Sequence, residues 1–214
     1  MKRETMVVLG AGGHSRVVVE ALKAMGYMAV QLLDDDPTVS IAHGPITDAM
    51  LRRLASTGTN GFIVGVGSVN AEGCALRDRL FMLALSTELV AITVFCRTAV
   101  VLGQVGQGVF LGHGSMVMPG AVVGSNSIIN TGAIVEHDCQ VGWSCHIATG
   151  AILCGGVQVG NLVHVGAGAV VRQGVVVGDG ATIGMGAVVL EDVAPGETVV
   201  GNPARILCRL HASR

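Results

Sequence analysis

The chain has 214 residues, half of them apolar and only 3% aromatic, with a net charge of −2. That charge argues against the basic patch a nucleic-acid binder needs, and no uncharged apolar run is long enough to span a membrane. The six cysteines show no CxxC spacing. They read as reduced, small core residues, and with no signal-peptide cleavage site at the amino terminus the expected compartment is the cytoplasm.

The first 95 residues alternate short apolar runs with helical periodicity, which predicts a small α/β unit with a parallel sheet. A strand is expected over residues 6–9, followed by the turn Gly10-Ala11-Gly12-Gly13-His14. Ser15 is the expected cap of a helix reaching Met25, with Val18, Ala21, Leu22 and Met25 on one face. A second strand over residues 29–33 ends at Asp34-Asp35-Asp36-Pro37. A helix over 48–56, a strand over 62–66, a helix capped by Asn70 through residue 85, and a strand over 90–95 complete the unit. His43 falls in a loop.

The glycine turn supports three readings. Gly10-x-Gly12-x-x-Ser15 departs from GxGxxG at its last place, and about ninety residues hold only half of a dinucleotide fold, which weakens an NAD site. A mononucleotide site fits better, with backbone N–H groups at the helix start meeting a phosphate and a downstream carboxylate meeting a ribose or base edge. A purely structural turn is the third.

From Val105 the period changes to six. Val105, Leu111, Val117 and every sixth residue through Val189 are aliphatic, making fifteen hexads, and the fifth place of each is small, from Val109 and Ser115 to Ala187 and Val193. The second place is glycine in eight hexads, including Gly106, Gly112 and Gly124, read as permitting the turn backbone. This predicts a parallel β-helix in which three hexads close one triangular coil, giving five coils. Such a narrow core suits the low aromatic content, and Cys139 and Cys145 fall at inward places. After it come an exit loop, a shaped turn at Gly201-Asn202-Pro203-Ala204-Arg205, and a tail helix expected over residues 206–211.

An aliphatic core is inert, so chemistry must come from polar residues that interrupt the hexads. The densest group is Glu136-His137-Asp138, with His146 nine residues after His137. His137 and His146 are expected to point outward near turns. A histidine beside a carboxylate is a candidate general base, because the carboxylate orients the ring and raises its basicity. A metal site built from His137, Asp138 and His146 lacks a ligand-spacing motif, so no metal is expected. A Cys139 nucleophile is disfavoured by its inward place. His113 and His164 read as surface residues.

The hexad array ending in Gly-Asn-Pro-Ala-Arg resembles the hexapeptide-repeat acyltransferases. Together with Gly10-Ala11-Gly12-Gly13-His14, Leu33-Asp34-Asp35, Asn130-Thr131 and Glu136-His137-Asp138-Cys139, it is similar to one branch. That branch holds the sialic-acid O-acetyltransferase-like proteins and the N-acetyltransferases of nucleotide-linked 4-amino sugars. The resemblance implies a mostly β chain with a small α/β unit: a Rossmann-like amino-terminal βαβ domain followed by a left-handed parallel β-helix. It implies a nucleotide-sugar-binding domain over residues 1–95, an acyltransferase domain over 96–200, and the turn and tail over 201–214. It implies homotrimers that bind acetyl-CoA between neighbouring β-helices. By the same resemblance His137 is the base and Asp138 its acidic partner, a place where the family often has Glu. His146, Ala167 and Met185 meet acetyl-CoA, and Gly12, Gly13, His14, Asp34, Asp35 and Gly67 hold the nucleotide sugar. The expected reaction is direct N-acetylation of the sugar amine. O-acetylation of a sialic-acid-type sugar is the alternative, and a non-catalytic scaffold is the reading from another class.

Overall fold

A computed structural model of the protein describes residues 5–207. Strands β1 (Thr5–Leu9), β2 (Ala29–Leu33), β3 (Thr59–Val64) and β4 (Val90–Ala91) form one parallel sheet in the order β2-β1-β3-β4. Its helices are α1 (Gly13–Ala24), α2 (Asp48–Ser56) and α3 (Ala71–Leu85). Met6 to Leu9 are all buried, because the central strand of a parallel sheet is covered on both faces. Val7 and Leu9 pack with Leu51, Leu54, Phe81 and Ala84 of α2 and α3. On the other face, Met6 and Val8 pack with Val18 and Leu22 of α1, and also with Phe110 and Ile128 of the second domain. Among the described residues, no helix is long and apolar enough to cross a membrane.

Three local expectations change. Helix α1 starts at Gly13, with Gly12 as a cap that has no side-chain hydrogen bond; Ser15 lies inside the first turn and donates its Oγ to Gly12 O at 2.6 Å. The strand expected over residues 62–66 runs from Thr59 to Val64. The strand expected over 90–95 is two strands in two sheets. Ile92 N–H donates to Phe62 O of β3, whereas Val94 N–H donates to Val109 O, so the chain changes sheets between these residues.

From Val94 the chain is a left-handed parallel β-helix of two-residue strands, closed by the three-residue strand Thr198–Val200. Phe110–Leu111, Ile128–Ile129, His146–Ile147, His164–Val165 and Thr182–Ile183 stack in parallel register on one face. The three faces hold eight, six and five strands. First-place aliphatics such as Leu111 and Ile129, and fifth-place residues such as Ala133, Cys139 and Cys145, fill the interior as the hexads predict. The β-helix is longer than five coils. Val94–Phe95 and Val100–Val101 form earlier strands, paired to Phe110–Leu111 and Met116–Val117. They escape the period because Val101 and Val105, equivalent inward residues, are separated by four places instead of six.

The second-place glycines serve close approach, not the turn torsion: a Cβ on Gly124 would lie 2.6 Å from the carbonyl carbon of Gly142 on the next coil. The left-handed torsion falls at the fourth place, as at Gly120 (φ 76°). Asn126 (58°), Asp138 (61°), Ser144 (53°) and Leu162 (59°) take the same torsion without being glycine.

At the carboxyl end, the turn at 201–204 folds Arg205–Ile206 back antiparallel along Val199–Val200. Ile206 is therefore in a strand, where a helix was expected, because its backbone pairs with Val199; residues 208–211 of the expected helix lie outside the described residues.

Candidate active site

His137 and Asp138 sit at the corner between the six-stranded and five-stranded faces. Asp138 is at a fourth place, and its left-handed backbone turns the carboxylate toward the preceding residue. His137 Nδ1 and Asp138 Oδ2 are 2.9 Å apart. A carboxylate only accepts, so Nδ1 carries the proton and Nε2 is left as the basic nitrogen. The hydrogen bond to Asp138, aided by the negative charges of Asp138 and Glu136, holds the imidazole above its ordinary pKa. Asp138 therefore reaches the ring despite its short side chain. Both side chains are exposed, at 59% and 73%. The ring lies over Gly155 of the next coil, where a Cβ would come within 2.5 Å of Nε2. Gly155 thus keeps the basic nitrogen clear, a role that one coil of sequence does not display because it arises between coils.

The amino-terminal glycine turn forms a second region. Gly10 needs its φ of 105° and would push a Cβ to 2.7 Å from Val66 Cγ2. Gly12 and Gly13 are exposed, and a Cβ on either would meet nothing within 4 Å. Helices α2 and α3 are capped by Thr47 and Asn70 side chains, whereas α1 has no side-chain cap. Its first N–H groups are therefore available to an anion. Asp34 accepts from Ala11 N–H at 2.7 Å and from Asp36 N–H at 2.9 Å, tying the turn to the end of β2. Asp35 accepts from Ile46 N–H at 2.8 Å through one oxygen. Gly67 lies against His14, its virtual Cβ 3.4 Å from His14 Cβ.

Where the two domains meet, buried polar groups replace the expected surface. Outward-facing His146 is only 7% exposed, and His164 only 6%. Both point away from the β-helix interior, within strands and not at turns, but the amino-terminal domain covers that face. His146 Nδ1 donates to Ser68 O at 2.6 Å and Nε2 accepts from Asn130 Nδ2 at 3.1 Å, since Asn130 Oδ1 is engaged by Thr131 N–H. Burial pushes the pKa of His146 down to about 3 and that of His164 down to about 4. His14, edge-on to Phe110 at 4.9 Å, is likewise held at about 3, chiefly by burial and then by the Arg77 charge. All three are neutral rings, so none of them shares the character of His137.

Arg77 fastens this junction. It is fully buried and donates to Val64 O at 3.0 Å, to Val66 O, and to Asn126 O and Oδ1 at 2.8 and 3.1 Å. Asn126 donates on to Ser144, which donates to Asp78 at 2.8 Å. The guanidinium is compensated by carbonyl oxygens, with the Asp78 carboxylate three hydrogen bonds away, and desolvation lowers its pKa to about 10. The same bonds fix residues 64–66, just before Gly67 and Ser68.

His146, Ala167 and Met185, separated by long stretches of sequence, line one groove of about 390 Å³ with Ser68, Val69 and His164. Asp34, Asp35 and His43 line another at the sheet edge. The His137–Asp138 corner joins neither. It lies opposite the eight-stranded face, to which the amino-terminal domain is docked. Within one chain His137 and His146 therefore do not converge, and among the described residues no group of three His, Cys, Asp or Glu side chains is placed to hold a metal. Sequence reasoning missed Ser68, Arg77, Asn126 and His164. One available signal was the run of polar residues His146, His164 and Thr182 at equivalent sixth places.

Residues 5–81 match the PglD N-terminal domain family, and residues 103–137 match the bacterial transferase hexapeptide (six repeats) family. Among solved structures, the chain is similar to a His-to-Asn mutant of perosamine N-acetyltransferase from Caulobacter crescentus in complex with CoA and GDP-perosamine. Identity is 32%, covering 96% of this chain and 97% of that one, with a TM-score of 0.89. The chain belongs to the hexapeptide-repeat acyltransferases. Within that family it falls in the branch with a PglD-type amino-terminal domain. This acyltransferase is also similar to the acetyltransferase domain of PglB from Neisseria gonorrhoeae in complex with acetyl coenzyme A, at 33% identity over 96% and 100% of the two chains and a TM-score of 0.84. To WeeI from Acinetobacter baumannii AYE it is 26% identical over 95% and 100%, with a TM-score of 0.73. A search among curated protein sequences found no match.

Proposed function

We propose that the protein is an acetyl-CoA-dependent N-acetyltransferase acting on the amino group of a nucleotide-linked 4-amino-deoxysugar. The observation that carries this reading is the similarity, along nearly the whole chain, to an enzyme whose structure holds CoA and GDP-perosamine. The 2.9 Å His137–Asp138 pair supports it with the chemistry such a transfer needs. The sugar amine attacks the thioester carbonyl while His137 Nε2 takes the proton the amine releases; the C–S bond then breaks and the thiol of CoA leaves. Asp138 holds the Nδ1 proton and stabilises the imidazolium. Bringing both substrates together supplies much of the rate by proximity.

In this reading the nucleotide meets the open N–H groups at Gly12 and Gly13, beside His14, Asp35 and Gly67, while Asp34 shapes the turn. The CoA arm runs along the groove of His146, Ala167 and Met185. One chain keeps the base on the corner opposite this face, so a complete site takes its halves from two copies of a homotrimer. Met116, Ile134, Ile152, Val170 and Val188 support that arrangement: they form an apolar ladder along the outside of the six-stranded face, suited to a second β-helix.

The test is thiol release from acetyl-CoA against a panel of nucleotide-linked 4-amino sugars and free sialic acid. Turnover on an amino sugar is expected. Turnover only on sialic acid would replace the amine with a hydroxyl acceptor, and the absence of turnover and of acetyl-CoA binding would remove the enzymatic reading.

A further inference from the structure

His164 has no role in the site as described above, yet it is an unusual residue to find there. It is 6% exposed, lines the groove, and stands one coil from His146, the two ring centroids 5.1 Å apart in an edge-to-face arrangement. Its register partners on the same outward ladder are His146 and Thr182.

The two nitrogens of His164 face different surroundings. Nδ1 is sealed from solvent and has no hydrogen-bond partner. Nε2 is not sealed and has no partner among the described residues, so it is the nitrogen that the ring offers to the groove. A buried N–H without an acceptor is rarer than a buried bare lone pair, which places the single proton on Nε2. An imidazolium would force an unsatisfied N–H onto Nδ1, and burial indeed holds the pKa near 4. The side chain is therefore a fixed, uncharged N–H donor.

The walls around it are mainly apolar, from Val69, Ala148, Ala167 and Met185. Two of the neighbouring polar atoms are already used, Ser68 O by His146 and Asn130 Oδ1 by Thr131 N–H, while the hydroxyl-bearing Thr149 and Thr182 also line the groove. An uncharged donor on an apolar wall suits a neutral carbonyl on a thin chain and not a phosphate, for which a cation is the stronger partner. We propose that His164 is a CoA-binding residue whose Nε2–H donates to an amide carbonyl of the pantetheine arm. This inference rests on the proposed reading of the groove as the acetyl-CoA site.

The test measures dissociation constants of CoA and acetyl-CoA, with melting temperatures, for the wild type, His164→Phe and His164→Gln. Phe keeps the ring and removes the donor, and Gln restores an N–H. Loss of one neutral hydrogen bond predicts binding of both ligands weakened about five- to tenfold in His164→Phe and restored to within about twofold in His164→Gln, with KM for the acceptor sugar unchanged. Unchanged CoA binding in His164→Phe would overturn the assignment. So would equal weakening in both variants accompanied by lower melting temperatures, which would mark a packing role. If the wild type binds neither ligand, the reading of the groove fails first, and the His164 assignment falls with it.

Discussion

Two corners of the β-helix share a backbone and differ in what they face. Asp138 and Asn126 occupy the same place in their hexads and have nearly the same torsion, φ 61° and 58°. Asp138 stands in solvent at a corner that no other described part of the chain covers, and it orients His137. Asn126 is fully buried under α3 and joins Arg77 to Ser144. Among the described residues, four non-glycines have this torsion: Asn126, Ser144 and Leu162 lie on the corner nearest α3, and Asp138 is the fourth. The repeat fixes the torsion, and a departure from glycine marks a place where a side chain is needed. Whether that need is packing or chemistry depends on what the other domain covers.

The strongest test of this contrast is His137→Ala. Removing a general base lowers turnover by about a thousandfold, while acetyl-CoA binding is expected to stay close to wild type, because His146, His164 and Met185 are on another face. Steady-state kinetics and a binding titration check this together. A collapse of binding alongside turnover would assign His137 to the cofactor site and erase the difference between the corners.

Glycine at each of the two positions compares them directly. Asn126→Gly keeps the torsion but strips two buried hydrogen bonds, a loss of about 2 kcal/mol, or about 4–8 °C in melting temperature for a chain of this size. Asp138→Gly also keeps the torsion and touches no buried group, so melting is expected to stay at the wild-type value while turnover falls. Thermal scans and rates on both variants separate packing from chemistry. Equal melting losses would mean that the exposed corner is structural too.

How far the sequence exposed these features depends on the range of the interaction. The hexads revealed the interior because each coil repeats one short-range pattern, and Glu136-His137-Asp138 stood out because adjacent residues make the contact. The helix over residues 48–56 and the Asn70 cap were equally local. The start of the β-helix was hidden, since a two-residue shortening before Val105 breaks the period without breaking the coil. The junction was hidden for a different reason. Outward at a hexad place is a statement about the β-helix alone, and it became exposure only by assuming that nothing covered the face. His164 was misread on that assumption, and Arg77 gave no sign because its acceptors are carbonyls on Val64, Val66 and Asn126.

The finest prediction concerns charge alone. Asp138→Asn leaves an oxygen for His137 Nδ1–H and so preserves the ring's orientation, but it replaces the hydrogen bond to a carboxylate, the main cause of the raised imidazole pKa, with one to a neutral amide, and removes the Asp138 charge that adds to it. The base must be neutral to accept a proton, so wild-type activity is lost as pH falls through the raised pKa. In Asp138→Asn that pKa falls back toward the ordinary imidazole value. The acid limb of kcat/KM then moves to lower pH, and the plateau falls because a less basic nitrogen takes the proton less readily. Asn126→Asp, placed at the covered corner, provides the contrasting control, for it is expected to leave the acid limb where it was. A profile whose acid limb does not move in Asp138→Asn would show that Asp138 only positions the ring. The exposed corner would then differ from the buried one in location, with both using the side chain as a hydrogen-bonding prop.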